Sequence, residues 1–148
     1  MRIADLIGPD QVLVGLRLPD KAQLLSELSR RAASAVSLEH PVILRGLLAR
    51  EQLGSTGLGK GFALPHARIE RLTRFYALFA RLQRPIDFES IDGRPVDLVI
   101  LLLTPEASSG QHLATLAALS RPLRDEAFMQ KLRRAPGAAA VHKLLAGV

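Results

Sequence analysis

The sequence predicts an α/β protein of three layers, a mixed β-sheet flanked by helices on both faces. Three observations lead there. Val96–Leu103 is almost continuously apolar, as a strand covered on both faces must be. Val12–Leu16 and Phe75–Leu82 are further short runs of strand-forming residues. Between and after them, apolar residues recur at helical spacing, as in Leu25, Leu28, Ala32, Ala35 and Val36, and again in Leu113, Leu116 and Ala117 with Ser120. A chain of 148 residues suffices for one sizeable core, so a single domain over residues 1–148 is expected.

Each element has its own local cause. Val12–Leu16 is the first strand. Asp20 then N-caps a helix, with Gln23 three residues on approximating a capping box. Pro41 suits the first turn of a second helix, which carries Val42, Ile43, Leu47 and Leu48 and stops near Gly54. Phe62–Leu64 is expected to be a short strand that ends at Pro65-His66. Phe75–Leu82 is the next strand, Asp92-Gly93 is a turn, and Val96–Leu103 is the central strand, ended by Thr104-Pro105. Ser108-Ser109-Gly110 opens a helix, and Asp125–Arg134 and Gly137–Leu145 form two shorter ones.

Composition excludes several classes of function. With 48% hydrophobic and 23% charged residues the chain is not disordered. It has no cysteine, which removes disulfides, thiolate metal sites, Fe–S clusters and cysteine nucleophiles. The longest apolar run, Leu98–Leu103, is far shorter than the roughly 20 residues of a spanning helix, so no membrane insertion is expected. Asp5 and Asp10 interrupt the N-terminus, no signal peptide is visible, and a cytoplasmic location is expected. The net charge of +6 invites a nucleic-acid reading. Against it, only 4% of residues are aromatic, and the basic pairs Arg30-Arg31, Arg71 with Arg74, and Arg121 with Arg124 are scattered as solvated helix sides. No nucleic-acid partner is expected.

Gly54–Lys60 matches Gly-x-x-x-x-Gly-Lys, but Gly61 stands where a P-loop needs Ser or Thr for magnesium. The loop also follows a helix and leads into a strand, the reverse of a phosphate-cradling loop. Gly57, Gly59 and Gly61 lack the dinucleotide spacing. Two readings stay open: a tight connection that needs glycine for its geometry, or an anion-binding nest with Ser55 and Thr56, near Arg50, Lys60 and Arg68.

The four histidines lack any metal-ligand spacing, so no metal is expected. His40 and His142 are expected at the surface. His66 lies at a strand end after the glycine loop, and His112 lies in the first turn of the helix after the central strand. If those strands are neighbours, both imidazoles reach one pocket. A neutral imidazole can attack a phosphoryl donor, and an arginine offers a permanently charged fork for phosphate oxygens. On position alone, a histidine at a strand end is more often structural than catalytic.

The stretch Arg50-Glu51-Gln52-Leu53-Gly54-Ser55-Thr56-Gly57-Leu58-Gly59-Lys60-Gly61-Phe62-Ala63-Leu64-Pro65-His66 resembles the IIA domains (EIIA type 2) of the bacterial phosphoenolpyruvate-dependent phosphotransferase system, of the fructose/mannitol and nitrogen-regulatory type. Pro85-Ile86-Asp87-Phe88, Asp92-Gly93, Pro95–Leu98 and the helix opened by His112-Leu113 extend the resemblance over almost the whole chain. It implies the EIIA type 2 fold. It implies that His66 accepts a phosphoryl group from a histidine phosphocarrier protein (HPr- or NPr-like), that His112 contacts that group and that Arg50 neutralises its charge. Gly54, Ser55, Thr56 and Gly57 would supply loop contacts. No cofactor is implied, because the donor is a protein, and the chain would be a relay component rather than a free-standing turnover enzyme. With no IIB or membrane domain attached, a nitrogen-type regulator is expected, signalling to protein targets such as potassium transport proteins or sensor kinases. The alternative is a sugar-specific (fructose/mannitol-type) component that passes phosphate to a IIB domain. Lys60 departs from the commoner Asn, and Ala67 from a frequent Gly.

Overall fold

A computed structural model describes residues 2–148, the Ser109 side chain excepted. The six strands are β1 (Val12–Leu16), β2 (Gly57–Gly59), β3 (Phe62–Ala63), β4 (His66–Ile69), β5 (Tyr76–Ile86) and β6 (Val96–Pro105). The helices are α1 (Ile3–Leu6), α2 (Lys21–Val36), α3 (His40–Gln52), α4 (Ser109–Ser120), α5 (Glu126–Arg134) and α6 (Ala138–Ala146), with 3-10 turns at Pro9–Gln11 and Pro122–Arg124. The sheet runs β1-β5-β6-β3-β2, with β4 also on β6. It is mixed: β1 is parallel to β5, β5 antiparallel to β6, and β3 and β4 parallel to β6.

The period of two along the central strands makes the layers. In β6, Val99, Leu101 and Leu103 join the core under α2 and α3, with Leu24, Leu28, Ile43 and Leu47. The alternate residues Leu98, Ile100 and Leu102 join the opposite core, with Leu119, Met129, Leu132, Val141 and Leu145 from α4–α6. Because β6 faces apolar helices on both sides, its stretch Leu98–Leu103 is apolar throughout, which makes it legible. Asp20 caps α2 as expected, its carboxylate accepting from the Gln23 amide at 2.8 Å. Asp125 caps α5 by accepting from the Ala127 and Phe128 amides.

Several expectations need correction. The strand expected to end at His66 is two strands, and His66 opens the second. At Leu64 the amide turns away to the Thr56 carbonyl (2.9 Å), and Pro65 has no amide to give. The ladder on β6 therefore lapses and resumes at His66, paired with Leu102. The glycine loop contains the short strand β2, and β6 continues through Pro105 because β4 pairs with it there. His40 and His142 are half-buried rather than at the surface. His142 donates from Nε2 to the Ile7 carbonyl at 3.2 Å, tying α6 to the N-terminal segment.

Candidate functional site

The site lies where β4, β6, the end of α3 and the start of α4 meet. In β4, Ala67 and Ile69 are buried in the α2/α3 core, so His66 and Arg68 project to the other face. Register sets His66 beside Leu102 and Arg68 beside Thr104. After β6 the chain turns directly into α4, whose first turn carries His112 back over the strand ends. The two imidazoles stand with ring centroids 5.6 Å apart, tilted by 53°. Arg50, in the last turn of α3, completes the group. That place suits a cation, since the helix dipole presents partial negative charge there.

Hydrogen bonds fix the state of His66. Its Nδ1 lies 2.8 Å from the Leu64 carbonyl, and a carbonyl only accepts, so Nδ1 carries the proton and donates. Nε2 is then the lone-pair nitrogen, and it accepts from Arg50 Nε at 3.2 Å. The same guanidinium donates through Nη1 to the Gly54 carbonyl at 2.9 Å. Burial, foremost, holds the His66 imidazole below the ordinary histidine range; the Leu64 carbonyl opposes this, the Arg50 charge assists it, and Glu51 opposes it. His112 is 6% exposed, and its Nδ1 pairs with Thr104 Oγ1 at 2.7 Å. Burial again, then the charges of Arg68 and His66, lower its proton affinity. Both rings are therefore neutral near pH 7.

The sequence-derived residues divide into two groups. Arg50, His66 and His112 line one open cavity of about 270 Å³, together with Gly46, Ala49, Leu53 and Arg68. Of Gly54, Ser55, Thr56 and Gly57, only Gly54 touches this group, through its carbonyl. Ser55 Oγ donates to the Phe88 carbonyl (2.8 Å) and accepts from the Gly57 amide (3.0 Å). Thr56 gives its amide and its hydroxyl to the Glu51 carboxylate. Glu51 is nearly buried and ion-paired with Lys21 at 2.9 Å. The loop hydroxyls thus hold the loop itself, and the loop holds Arg50. Gly57 is glycine for close approach, since a Cβ there would come within 2.9 Å of Ser90 Cα. Lys60 extends to the Arg124 carbonyl (3.4 Å), and its amide meets Asp92, outside the cavity. Among the described residues, no group of three His, Asp or Glu is placed to hold a metal.

Arg68 is a second cation in the cavity that the sequence reading noted beside the loop without assigning it a role. Its signal was the period of two from His66, visible only once residues 66–69 are recognised as a strand.

A nucleophilic ring nitrogen, two guanidinium-bearing residues and a second imidazole around one open cavity are equipped to receive a phosphoryl group. Residues 5–147 match the family model for the phosphoenolpyruvate-dependent sugar phosphotransferase system, EIIA 2. The chain belongs to the EIIA 2 family. This EIIA 2 chain is 45% identical over 146 residues to a nitrogen regulatory protein of Bradyrhizobium diazoefficiens, covering 99% of this chain and 95% of the relative. It is 38% identical over 105 residues to a fructose-specific EIIA component of Haloferax volcanii, covering 71% and 68%. The crystal structure of nitrogen regulatory protein IIA-Ntr from Neisseria meningitidis superposes with a TM-score of 0.92 at 31% identity, covering 97% of this chain and 98% of that one. The sequence resemblance and the expected fold class are both borne out. No helix among the described residues is long and apolar enough to cross a membrane.

Proposed function

We propose that this EIIA 2 chain is a phosphoryl-relay regulator: Nε2 of His66 accepts a phosphoryl group from a histidine phosphocarrier protein, and the phosphorylation state governs binding to target proteins. The whole chain acts as one cytoplasmic IIA domain, and its targets are of the kind the resemblance implies, such as potassium transport proteins or sensor kinases. The observation that carries the reading is the His66 ring, with Nδ1–H on the Leu64 carbonyl and Nε2 turned to Arg50.

The step balances with no other reactant. As the donor approaches, a phosphoryl oxygen takes over the N–H that Arg50 gives to Nε2 in the resting site. The freed Nε2 lone pair forms the new N–P bond while the donor's N–P bond breaks, and the donor imidazole keeps that electron pair. Nδ1 retains its proton, and the Leu64 carbonyl eases the positive charge that the ring gains. Arg50 and Arg68 offset charge on the phosphoryl oxygens, so catalysis is positioning plus electrostatics. A regulatory rather than sugar-uptake role is supported by the 45% identity to a nitrogen regulatory protein over nearly both chains. The fructose-specific relative, matched over a shorter span, supports the alternative of transfer onward to a IIB domain.

Incubation with phosphoenolpyruvate, enzyme I and the histidine phosphocarrier tests this. An acid-labile phosphoryl group is expected on the wild-type chain and none on His66→Ala; undiminished labelling of that variant overturns the reading.

A further inference from the structure

Thr104 is a polar residue that directly follows the apolar run Leu98–Leu103 of β6. Its side chain is fully buried at the site end of β6, beside Arg68 in the register. The one hydrogen-bond partner of its hydroxyl among the described residues is Nδ1 of His112, at 2.7 Å. A hydroxyl hydrogen buried away from water needs an acceptor. A lone-pair nitrogen at Nδ1 supplies one, whereas a protonated Nδ1 would make the hydroxyl accept and leave its own hydrogen without a partner. The imidazole is kept neutral by its burial and by the neighbouring charges, so it carries a single proton near pH 7. If Nδ1 is bare, that proton sits on Nε2.

We infer that Thr104 is a positioning residue that fixes the tautomer and ring orientation of His112, making His112 Nε2 a hydrogen-bond donor to the phosphoryl group. The opposite tautomer would set a nitrogen lone pair against phosphoryl oxygens and turn an attraction into a repulsion. Leucine or valine at 104 would suit the strand equally well and would leave Nδ1 unanchored. The inference rests on the phosphoryl-acceptor reading of His66 for its functional half, while its structural half stands without it.

Two measurements decide it. In the unphosphorylated protein, nitrogen-15 NMR of the His112 ring is expected to show the Nε2–H tautomer; an Nδ1–H ring overturns the assignment. In carrier-driven labelling, Thr104→Val is expected to slow phosphorylation of His66 by roughly threefold to tenfold, the scale of one lost hydrogen bond. Thr104→Ser is expected to restore the rate. Since Thr104 acts through His112, adding Thr104→Val to His112→Ala should change nothing further. A Thr104→Val protein labelled at the full rate, or one whose slowing persists undiminished on the His112→Ala background, overturns the role. If the wild-type chain takes no label at all, the phosphoryl-acceptor reading fails, and the ring spectrum still decides the tautomer.

Discussion

Arg50 donates from Nε to Nε2 of His66 at 3.2 Å, so a permanent positive charge faces the lone-pair nitrogen that is proposed to accept the phosphoryl group. The contact is made at the C-terminal end of α3, and the Gly54 carbonyl holds the guanidinium there. Removing the cation while keeping bulk, as in Arg50→Met, should lower the rate of His66 phosphorylation by roughly a hundredfold, the usual effect of deleting one charge-stabilising donor. It should also raise the His66 titration midpoint, because the Arg50 charge helps depress it. Labelling kinetics and proton NMR of the ring check the two halves.

The depressed proton affinities of His66 and His112 give a definite pH dependence. Well above about pH 6.5 both rings are neutral in folded and unfolded chains, so they add no slope. As pH falls below that value the unfolded chain binds protons that the folded one refuses, so stability declines until the folded-state values are passed. Urea midpoints should therefore fall as pH drops below about 6.5, and the double variant His66→Gln, His112→Gln should flatten that part of the curve.

Glu51 and Lys21 form a nearly buried pair that supports the loop, with side chains 6% and 16% exposed. Lys21→Met leaves the Glu51 carboxylate buried with only Thr56 to satisfy it. A loss of about 2–4 kcal/mol is expected from urea denaturation, as for other broken buried pairs. Glu51→Gln together with Lys21→Met should recover part of that loss, because no isolated charge remains.

Gly61 sits at φ +84°, and a Cβ there would meet the Arg133 guanidinium at 2.5 Å and Asp97 Oδ1 at 3.1 Å. Arg133 is bound to Asp97 at 3.0 Å, so neither side chain is free to give way. Gly61→Ala should cost about 2 kcal/mol or more in thermal or urea unfolding. Gly54, with nothing within 4 Å of its would-be Cβ, carries only the backbone penalty of its positive φ.

Much of this fold is legible in the chain itself. β6 faces two helical layers, so its stretch Leu98–Leu103 is apolar without a break, and Asp20 caps α2 where its spacing to Gln23 says it should. His66 and His112 meet because β4 and β6 are neighbours, the condition on which the sequence reading depended. What escaped were features with short or mixed signals. β4 has four residues, two of them polar and one preceded by proline, so neither propensity nor period marked it as a strand. Arg68 was lost with it as a member of the site. Thr104 looked like a strand terminator before Pro105, yet the parallel pairing of β4 carries the strand past it and turns its hydroxyl inward. The glycine loop offered two readings, and its hydroxyls are engaged with Phe88, Gly57 and Glu51.

With Nδ1 of His66 committed to the Leu64 carbonyl, the ring's lone pair lies on Nε2, the nitrogen proposed to take phosphorus. Combined phosphorus-31 and nitrogen-15 NMR of the chain after phosphorylation by the carrier reads this directly. One phosphoryl resonance coupled to Nε2 of His66 is the predicted result. Coupling to Nδ1 of that ring, or to a nitrogen of any other histidine, would contradict it.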